Sequence, residues 1–218
     1  MFNNNNLKRL AILGAGGHAK VIADTALVSG WDDVVFFDDE WPNHSFIGPW
    51  EVRGNSEKLL ELAEEIDGVI VGIGNNMIRL EKQLELQKAN IKIVNIVHPS
   101  AIVSSYSEIG VGSVVFACAV INPFAKIGPG CIINTSSTID HDCVLSEGVH
   151  LSPGAHLGGN VSVGKISWIG IGASVIHGIH IGEKVIVGAG AVVINNIVSN
   201  VTVAGVPAKK IISNKFHV

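Results

Sequence analysis

A histidine and an aspartate, His141 and Asp142, close an unusually polar stretch of the sequence, residues 134–142 (NTSSTIDHD). A neutral imidazole can take up a proton near neutral pH. A neighbouring carboxylate can hold the ring in one tautomer and stabilise the imidazolium that forms. The local polarity therefore favours a functional role for His141. Spacing alone leaves open whether the carboxylate of Asp142 reaches the ring.

The polar stretch lies inside a repeat with a period of six residues. From Val103 to Val193 every sixth residue is Val, Ile or Leu, and a small or aliphatic residue follows four positions after most of them. This period fits neither a helix nor a simple strand and is typical of hexapeptide β-helix repeats. The sequence thus predicts a triangular solenoid of three hexads per coil, with coils stacked roughly 4.8 Å apart.

The register of the repeat predicts which side chains face outward. Ile139 and Cys143 occupy inward positions, so His141 and Asp142 are expected to project outward or into a corner. His177 falls two coils above His141, roughly 10 Å away, which is too far to share a metal ion.

Other candidate residues carry weaker signals. The residues alone leave His150 open between a functional and a structural role. We interpret three histidines as surface residues without a role: His156, His177 and His180. The three cysteines, Cys118, Cys131 and Cys143, are interpreted as buried free thiols of a reducing compartment.

The first hundred residues predict alternating strands and helices. Strands are expected at residues 10–13, 34–37, 69–73 and 91–96, and helices at 20–29, 56–65 and 77–89. Such alternation is typical of βαβ units on a parallel sheet. We therefore predict a small Rossmann-like α/β domain over residues 1–97, followed by an all-β β-helix over residues 98–218.

A glycine-rich turn, residues 14–19 (GAGGHA), follows the first predicted strand. Backbone N–H groups at such a turn can bind a diphosphate at the N-terminus of a helix. The spacing also matches the dinucleotide fingerprint, but the domain is too short for two mononucleotide halves. A turn that merely joins strand to helix stays open. The preferred interpretation is a single nucleotide diphosphate, contacted by Gly16, Gly17, His18, Asp38, Asp39 and Gly74.

Composition argues against several classes of protein. A formal charge of −4 without a basic stripe argues against nucleic acid as a partner. No run of about 18 apolar residues predicts a membrane span. The start, Met1 to Arg9, is polar and lacks the apolar core of a signal peptide. A soluble, cytoplasmic protein is expected.

Taken together, these motifs resemble a known family, the hexapeptide-repeat acyltransferases. More narrowly, they resemble the family of sialic acid O-acetyltransferases and nucleotide-sugar N-acetyltransferases. Within that family they resemble the N-acetyltransferases of bacillosamine biosynthesis. The resemblance covers nearly the whole chain. It rests on the hexapeptide run and on residues 14–18 (GAGGH), 38–39 (DD), 72–76 (GIGNN), 134–137 (NTSS), 141–142 (HD), 150 (H), 154–155 (GA), 159–161 (GNV) and 204–209 (AGVPAK).

The resemblance implies a left-handed β-helix, a homotrimer and acetyl-CoA bound between subunits, with no metal. It implies that His141 is the general base and that Asp142 raises its basicity. It places three residues on acetyl-CoA, His150, Ile171 and Ala189, and the six residues named above on the nucleotide sugar. The implied acceptor is the 4-amino group of a UDP-linked 4-amino-4,6-dideoxy-N-acetylhexosamine.

Four alternatives stay open at this point. The acceptor could be a hydroxyl of sialic acid or the amine of a GDP-linked sugar. A zinc hydratase of the γ-carbonic-anhydrase type would need three histidines around the metal, and His141 and His150 leave no obvious third. A non-catalytic sugar-binding scaffold would bind nucleotide sugar without cleaving a thioester.

Overall fold

The computed structural model describes residues 7–211. Residues 1–6 lie outside the described residues, and they are most of the polar start that argues against a signal peptide. The last seven residues of the predicted second domain lie outside them as well. No helix between residues 7 and 211 is both long and apolar enough to cross a bilayer.

A five-stranded sheet occupies the first part of the chain. Its strands are β1 (Arg9–Leu13), β2 (Asp33–Phe37), β3 (Phe46–Ile47), β4 (Trp50–Gly54) and β5 (Gly68–Val71). They follow the order β3-β4-β2-β1-β5. β1 pairs in parallel with both β2 and β5, and β3 pairs with β4 in antiparallel orientation. The central strands are apolar almost without interruption, because helices or other elements cover both faces of a parallel sheet.

Three α-helices accompany this sheet: α1 (Gly17–Val28), α2 (Ser56–Glu61) and α3 (Asn76–Lys88). A 3₁₀ turn, Ala63–Glu65, follows α2. Ile22 of α1 shares one buried cluster with Phe116 and Ile132, which belong to the second part of the chain. Helix α1 is therefore packed between the sheet and the β-helix.

The second part of the chain is a triangular β-helix of short parallel strands. The first side consists of β7 (Ile102–Val103), β10 (Val120–Ile121), β13 (Thr138–Ile139), β16 (His156–Leu157), β19 (Ser174–Val175) and β22 (Val192–Val193). The second side consists of β8 (Glu108–Ile109), β11 (Lys126–Ile127), β14 (Val144–Leu145), β17 (Ser162–Val163) and β20 (His180–Ile181). The third side consists of β6 (Ile96–Val97), β9 (Val114–Val115), β12 (Ile132–Ile133), β15 (His150–Leu151), β18 (Trp168–Ile169), β21 (Ile186–Val187) and β23 (Thr202–Ala204). A last strand, β24 (Lys209–Lys210), pairs with β23 in antiparallel orientation.

Stacked aliphatic side chains hold this part of the fold together. Val120 lies beside Thr138 and Ile121 beside Ile139, so one coil takes 18 residues, as the three-hexad prediction requires. The aliphatic residues of the hexad form one continuous buried cluster with the small inward residues between them. Fully burying one such side chain contributes about 1.5–3 kcal/mol, and the sum over many coils fixes the register.

Three local predictions differ from the structure. The strand expected at residues 91–96 is absent, because Ile93 makes only an isolated bridge to Val69 and Ile96–Val97 pairs with β9 of the β-helix. The β3–β4 hairpin was not expected, since its apolar runs are short and interrupted by a Gly-Pro turn. Cys118 is exposed rather than buried. The domain boundary between residues 97 and 98 stays a prediction.

A buried arginine joins the two parts of the chain. Arg79 of α3 is 1% exposed, and five hydrogen bonds match the five N–H groups of its guanidinium. Nε donates to the carbonyl oxygen of Gly130 at 2.8 Å, and Nη2 donates to that of Gly148 at 3.1 Å. Nη1 donates to the carbonyl oxygens of Ile73 and Gly74 at 3.1 and 2.9 Å. Nη2 also donates to Asn76 Oδ1. Arg79 thus ties the loop after β5 to two coils of the β-helix.

We predict that Arg79→Met destabilises the protein by at least about 3 kcal/mol, because the buried carbonyl oxygens of Gly130 and Gly148 lose their donor at about 1–3 kcal/mol each. Two part-buried carbonyl oxygens in the loop after β5 lose theirs as well. Urea unfolding followed by circular dichroism measures the loss. Arg53→Met is the matched control, since Arg53 pairs with Glu51 at the surface at 2.9 Å and such pairs contribute about 0–1 kcal/mol. Equal stabilities of the two variants would contradict this role of Arg79.

Candidate functional site

His141 and Asp142 lie at the corner between the first and second sides, directly after β13. Ile139 and Cys143 on either side are fully buried, whereas the His141 and Asp142 side chains are 59% and 55% exposed. Asp142 has a φ of +58°, a left-handed conformation that Asp and Asn adopt more readily than other non-glycine residues. This turn places two adjacent side chains together, and His141 Nδ1 lies 2.7 Å from Asp142 Oδ2. The contact that spacing left open is present.

Two carboxylates set the charge state of this imidazole. The hydrogen bond that the Asp142 carboxylate accepts, and then the negative charge of Asp140, raise the pKa of His141 above its ordinary value. Asp140 Oδ1 accepts hydrogen bonds from Asn122 Nδ2 at 2.9 Å and from the His141 N–H at 2.8 Å, and these lower the pKa of Asp140. Because an ionised carboxylate only accepts hydrogen bonds, the proton of the neutral His141 ring is on Nδ1 and the lone pair of Nε2 is left free.

A glycine in the next coil makes room for this base. A methyl group at Gly159 would lie 2.5 Å from His141 Nε2 and 2.7 Å from Cε1. No heavy atom fits at that distance, so any side chain at position 159 displaces the ring. The absence of a Cβ there lets the ring of His141 lie directly against the backbone of the next coil.

His150 lies on the third side, in a drier environment. Its ring stacks on Trp168 with centroids 5.3 Å apart and planes 6° apart, and the ring of His18 lies 6.5 Å away. Burial, and then the charges of Arg79 and His18, lower the pKa of His150 to about 3. This imidazole is therefore neutral at physiological pH. Trp168 was not predicted as a site residue, although its position 18 residues after His150 places the two side chains on neighbouring coils.

Ile171 and Ala189 lie at the corner between the third and first sides. Both are exposed, and the Gly190 N–H donates to the Ile171 carbonyl oxygen at 2.7 Å, so the two residues are one coil apart. Asn134 is the first residue of the same corner in a lower coil of the β-helix. Two of the three residues predicted to contact acetyl-CoA therefore lie at this corner, and His150 lies on the adjoining third side.

The glycine-rich turn opens into a cleft at the carboxyl end of β1. Helix α1 begins after Gly16 with no side chain capping its N-terminus, so backbone N–H groups there are left for a ligand. Asp38 shapes the turn, since its Oδ2 accepts from the Ala15 N–H at 2.7 Å. The cleft measures about 420 Å³ and is lined by Ala15, Gly16, Lys20, Asp38, Glu40, His44, Phe46, Ile47 and Gly48. Lys20 and the lining residues of the β3–β4 hairpin were not predicted as site residues, because the hairpin itself was not expected from the sequence.

Of the six predicted nucleotide-sugar residues, only Gly16 and Asp38 line this cleft. His18 packs edge-on against Phe116 at 5.6 Å, and burial lowers its pKa to about 4. Asp39 accepts from Ser56 Oγ at 2.6 Å and pairs with Lys82 at 3.1 Å. The Gly74 carbonyl is held by Arg79. Gly17 is exposed as the first residue of α1. These assignments stay predictions.

One chain does not bring all the candidate residues together. The corner that carries His141 is opposite the third side, where His150 lies beside His18. His156 and His180 bond to Thr138 and Ser162 of the neighbouring coils, which accounts for them structurally. Within residues 7–211, no three His, Cys, Asp or Glu side chains are grouped so as to hold a metal ion.

Comparison with known proteins gives matches to both parts of the chain. A family described as the PglD N-terminal domain matches residues 9–86. The acetyltransferase domain of PglB from Neisseria gonorrhoeae, solved with acetyl coenzyme A, is 40% identical with a TM-score of 0.90, over 94% of this chain and 99% of that chain. A variant of perosamine N-acetyltransferase from Caulobacter crescentus, solved with CoA and GDP-perosamine, is 37% identical with a TM-score of 0.89, over 94% and 97% of the two chains.

A curated protein matches over a shorter stretch. UDP-N-acetylbacillosamine N-acetyltransferase of Bacillus subtilis is 41% identical over 112 residues, which are 49% of this chain and 50% of the relative. The match thus spans about half the length of that relative. Together these similarities confirm the predicted fold, a Rossmann-like sheet followed by a left-handed parallel β-helix.

We predict that Asp142→Asn lowers the pKa of His141 toward its ordinary value, because the substitution removes the largest contribution to the raised pKa. The ring then loses its proton at a lower pH than in the native protein. An NMR titration of the His141 ring protons measures this. Asp142→Glu, which keeps the carboxylate, is the control and should retain a raised pKa. An unchanged pKa in Asp142→Asn would show that the contact does not set the basicity.

Proposed function

The chain belongs to the family of hexapeptide-repeat acetyltransferases, and on that premise we propose that it transfers the acetyl group of acetyl-CoA to the amine of a nucleotide sugar. The observation that carries this proposal is the hydrogen bond between His141 Nδ1 and Asp142 Oδ2 at 2.7 Å. That contact leaves Nε2 unprotonated and basic at an exposed corner, as the loss of a proton from an attacking amine requires.

For the acceptor, we propose the 4-amino group of a UDP-linked 4-amino-4,6-dideoxy-N-acetylhexosamine. The similarity to UDP-N-acetylbacillosamine N-acetyltransferase supports it. A second candidate is a GDP-linked amino sugar, which the similarity to a perosamine N-acetyltransferase with GDP-perosamine supports. The cleft beside Gly16 and Asp38 is the proposed place for the nucleotide in either case.

The proposed mechanism is a direct transfer. The amine nitrogen attacks the thioester carbonyl carbon, and the π electrons of the carbonyl move onto its oxygen. His141 Nε2 accepts the proton that the nitrogen loses, directly or through one water. The C–S bond then breaks, and the CoA thiolate leaves and takes a proton from the imidazolium. Holding both substrates in one cleft supplies the proximity, and no covalent enzyme intermediate is needed.

We propose that the complete site forms between copies in a homotrimer. Within one chain, His141 lies at the corner opposite the side that carries His150. The exposed positions of Ile171 and Ala189 along another corner support a cofactor groove that a second copy closes.

The three cysteines have no disulfide partner, which supports a reducing compartment and hence the cytoplasm as the place of the reaction.

The substrate is tested by incubating the purified protein with acetyl-CoA and a panel of UDP-, GDP- and CMP-linked sugars, including sialic acid and amino sugars. Release of free CoA thiol is followed, and products are identified by mass spectrometry. Acetylation of a UDP-linked 4-amino sugar supports the proposal. If only a hydroxyl or only the GDP-linked amine is acetylated, the proposed acceptor is wrong and that group is the acceptor. If the protein binds a nucleotide sugar but releases no thiol, it is a sugar-binding scaffold and not an enzyme.

We predict that His141→Ala lowers kcat by roughly 10²–10⁴-fold, because a positioned general base contributes about that factor. The exposed side chain contributes little to folding, so the melting temperature should change little. His177→Ala is the matched control, since His177 is also exposed at the same corner two coils above and no contact of its side chain is recorded among residues 7–211. Full turnover in His141→Ala would remove this residue from the mechanism.

A second prediction tests whether one site draws on two copies. His141→Ala and His150→Asn should each be inactive as pure assemblies. Co-expression of the two variants should restore about a quarter of the native sites, because random assembly pairs an intact His141 with an intact His150 of the neighbour in that fraction. Activity that stays at the level of the parents would show that both residues act within one chain.

A further inference from the structure

The orientation of the Asn134 side chain is fixed by its neighbours. Its Oδ1 accepts a hydrogen bond from the Thr135 backbone N–H at 2.8 Å and lies 3.4 Å from Thr135 Oγ1. A flipped amide would set two N–H donors against each other at position 135, because a backbone N–H can only donate. The Nδ2 group of Asn134 therefore points the other way, and it lies 3.3 Å from His150 Nε2.

This orientation determines the tautomer of His150. The amide Nδ2 is a donor only, so His150 Nε2 must accept and cannot carry a proton. Burial keeps this imidazole neutral by lowering its pKa to about 3. A neutral imidazole has one proton on its two nitrogens. The proton of His150 is therefore on Nδ1.

The Nδ1–H group of His150 is free to bind a ligand. Among residues 7–211, no protein acceptor for it is recorded, and the buried side-chain nitrogen and oxygen atoms without a hydrogen bond are His18 Nε2 and Gln83 Oε1. Nδ1 is thus accessible rather than enclosed. The stacked indole of Trp168 on one face of the ring limits its rotation, so the donor has a defined direction.

We infer that Asn134 is a positioning residue that fixes His150 as an Nδ1–H donor for the carbonyl oxygen of the acetyl thioester. This inference rests on the proposed function, which places acetyl-CoA along the edge of His150, Ile171 and Ala189. As the amine forms its C–N bond, negative charge grows on that oxygen. A preset donor in a dry environment stabilises this charge more than it stabilises the ground state. His141 accepts the proton at the other end of the same reaction, so the two histidines have opposite tasks.

The tautomer can be read without any substrate. In protein labelled with ¹⁵N-histidine, the two ring nitrogens of His150 give separate signals, assigned by their loss in His150→Asn. We expect a proton on Nδ1 and none on Nε2. A proton on Nε2 in the native protein would overturn the inference. This measurement is independent of acetyl transfer, so it stands apart from any failure of the proposed function, which the substrate panel reports.

Two substitutions at position 134 separate positioning from packing. Asn134→Asp keeps the shape but replaces the Nδ2 donor with an acceptor, so His150 must move its proton to Nε2. We expect kcat to fall about 10²-fold with the KM for the nucleotide sugar unchanged, at about pH 8.5, where imidazole is neutral. Asn134→Ala removes the donor without imposing the wrong tautomer, so both tautomers are populated and the loss should be smaller.

A purely structural role predicts the reverse order, because Asn134→Ala removes more contacts than Asn134→Asp. Asn200→Asp is the control for the added charge, since Asn200 is exposed at a left-handed corner with φ of +62°, a conformation that Asp also adopts. It should retain native kcat. Native kcat in Asn134→Asp, or a greater loss in Asn134→Ala than in Asn134→Asp, would overturn the inference.

Discussion

The stacking of aliphatic side chains inside the β-helix is the constraint on which the rest of the structure depends. Every sixth residue from Val115 to Val193 is buried in one continuous cluster. A shift by one residue would turn this whole set outward, at the loss of about 1.5–3 kcal/mol for each side chain. The register is therefore rigid, and it dictates which residues reach the surface at each corner. His141 owes its exposed position to Ile139 and Cys143, which flank it and face inward.

A second constraint holds the sheet domain against this rigid frame. Burying a guanidinium without a carboxylate is costly, and Arg79 is tolerated because its five N–H groups are all bonded. Its acceptors come from the loop after β5 and from two coils of the β-helix. Together with the packing of α1 against Phe116 and Ile132, this network fixes the glycine-rich turn relative to His150. Arg79 and the packing of α1 thus position the proposed nucleotide cleft relative to the proposed cofactor residues.

Much of the β-helix could be predicted from the sequence, because a strict six-residue period fixes each side chain as inward or outward. The same rule predicted that His141 and Asp142 are exposed. It could not predict their contact, since that depends on the left-handed φ of Asp142. The β3–β4 hairpin and the pairing of Ile96–Val97 were missed because both depend on tertiary neighbours rather than local pattern. Arg79 was missed for a related reason: a helical arginine is usually solvent-exposed, and only the packed structure shows its carbonyl acceptors.

The separation of His141 from the third side within each chain has a consequence for how the protein works over time. In the proposed assembly, a newly made single chain carries a base without a cofactor groove facing it. On that proposal, a single chain would not bring His141 to the thioester before it finds its partners. Catalytic competence would then depend on local protein concentration, and dilution below the dissociation constant of the assembly would switch the chemistry off without unfolding any subunit.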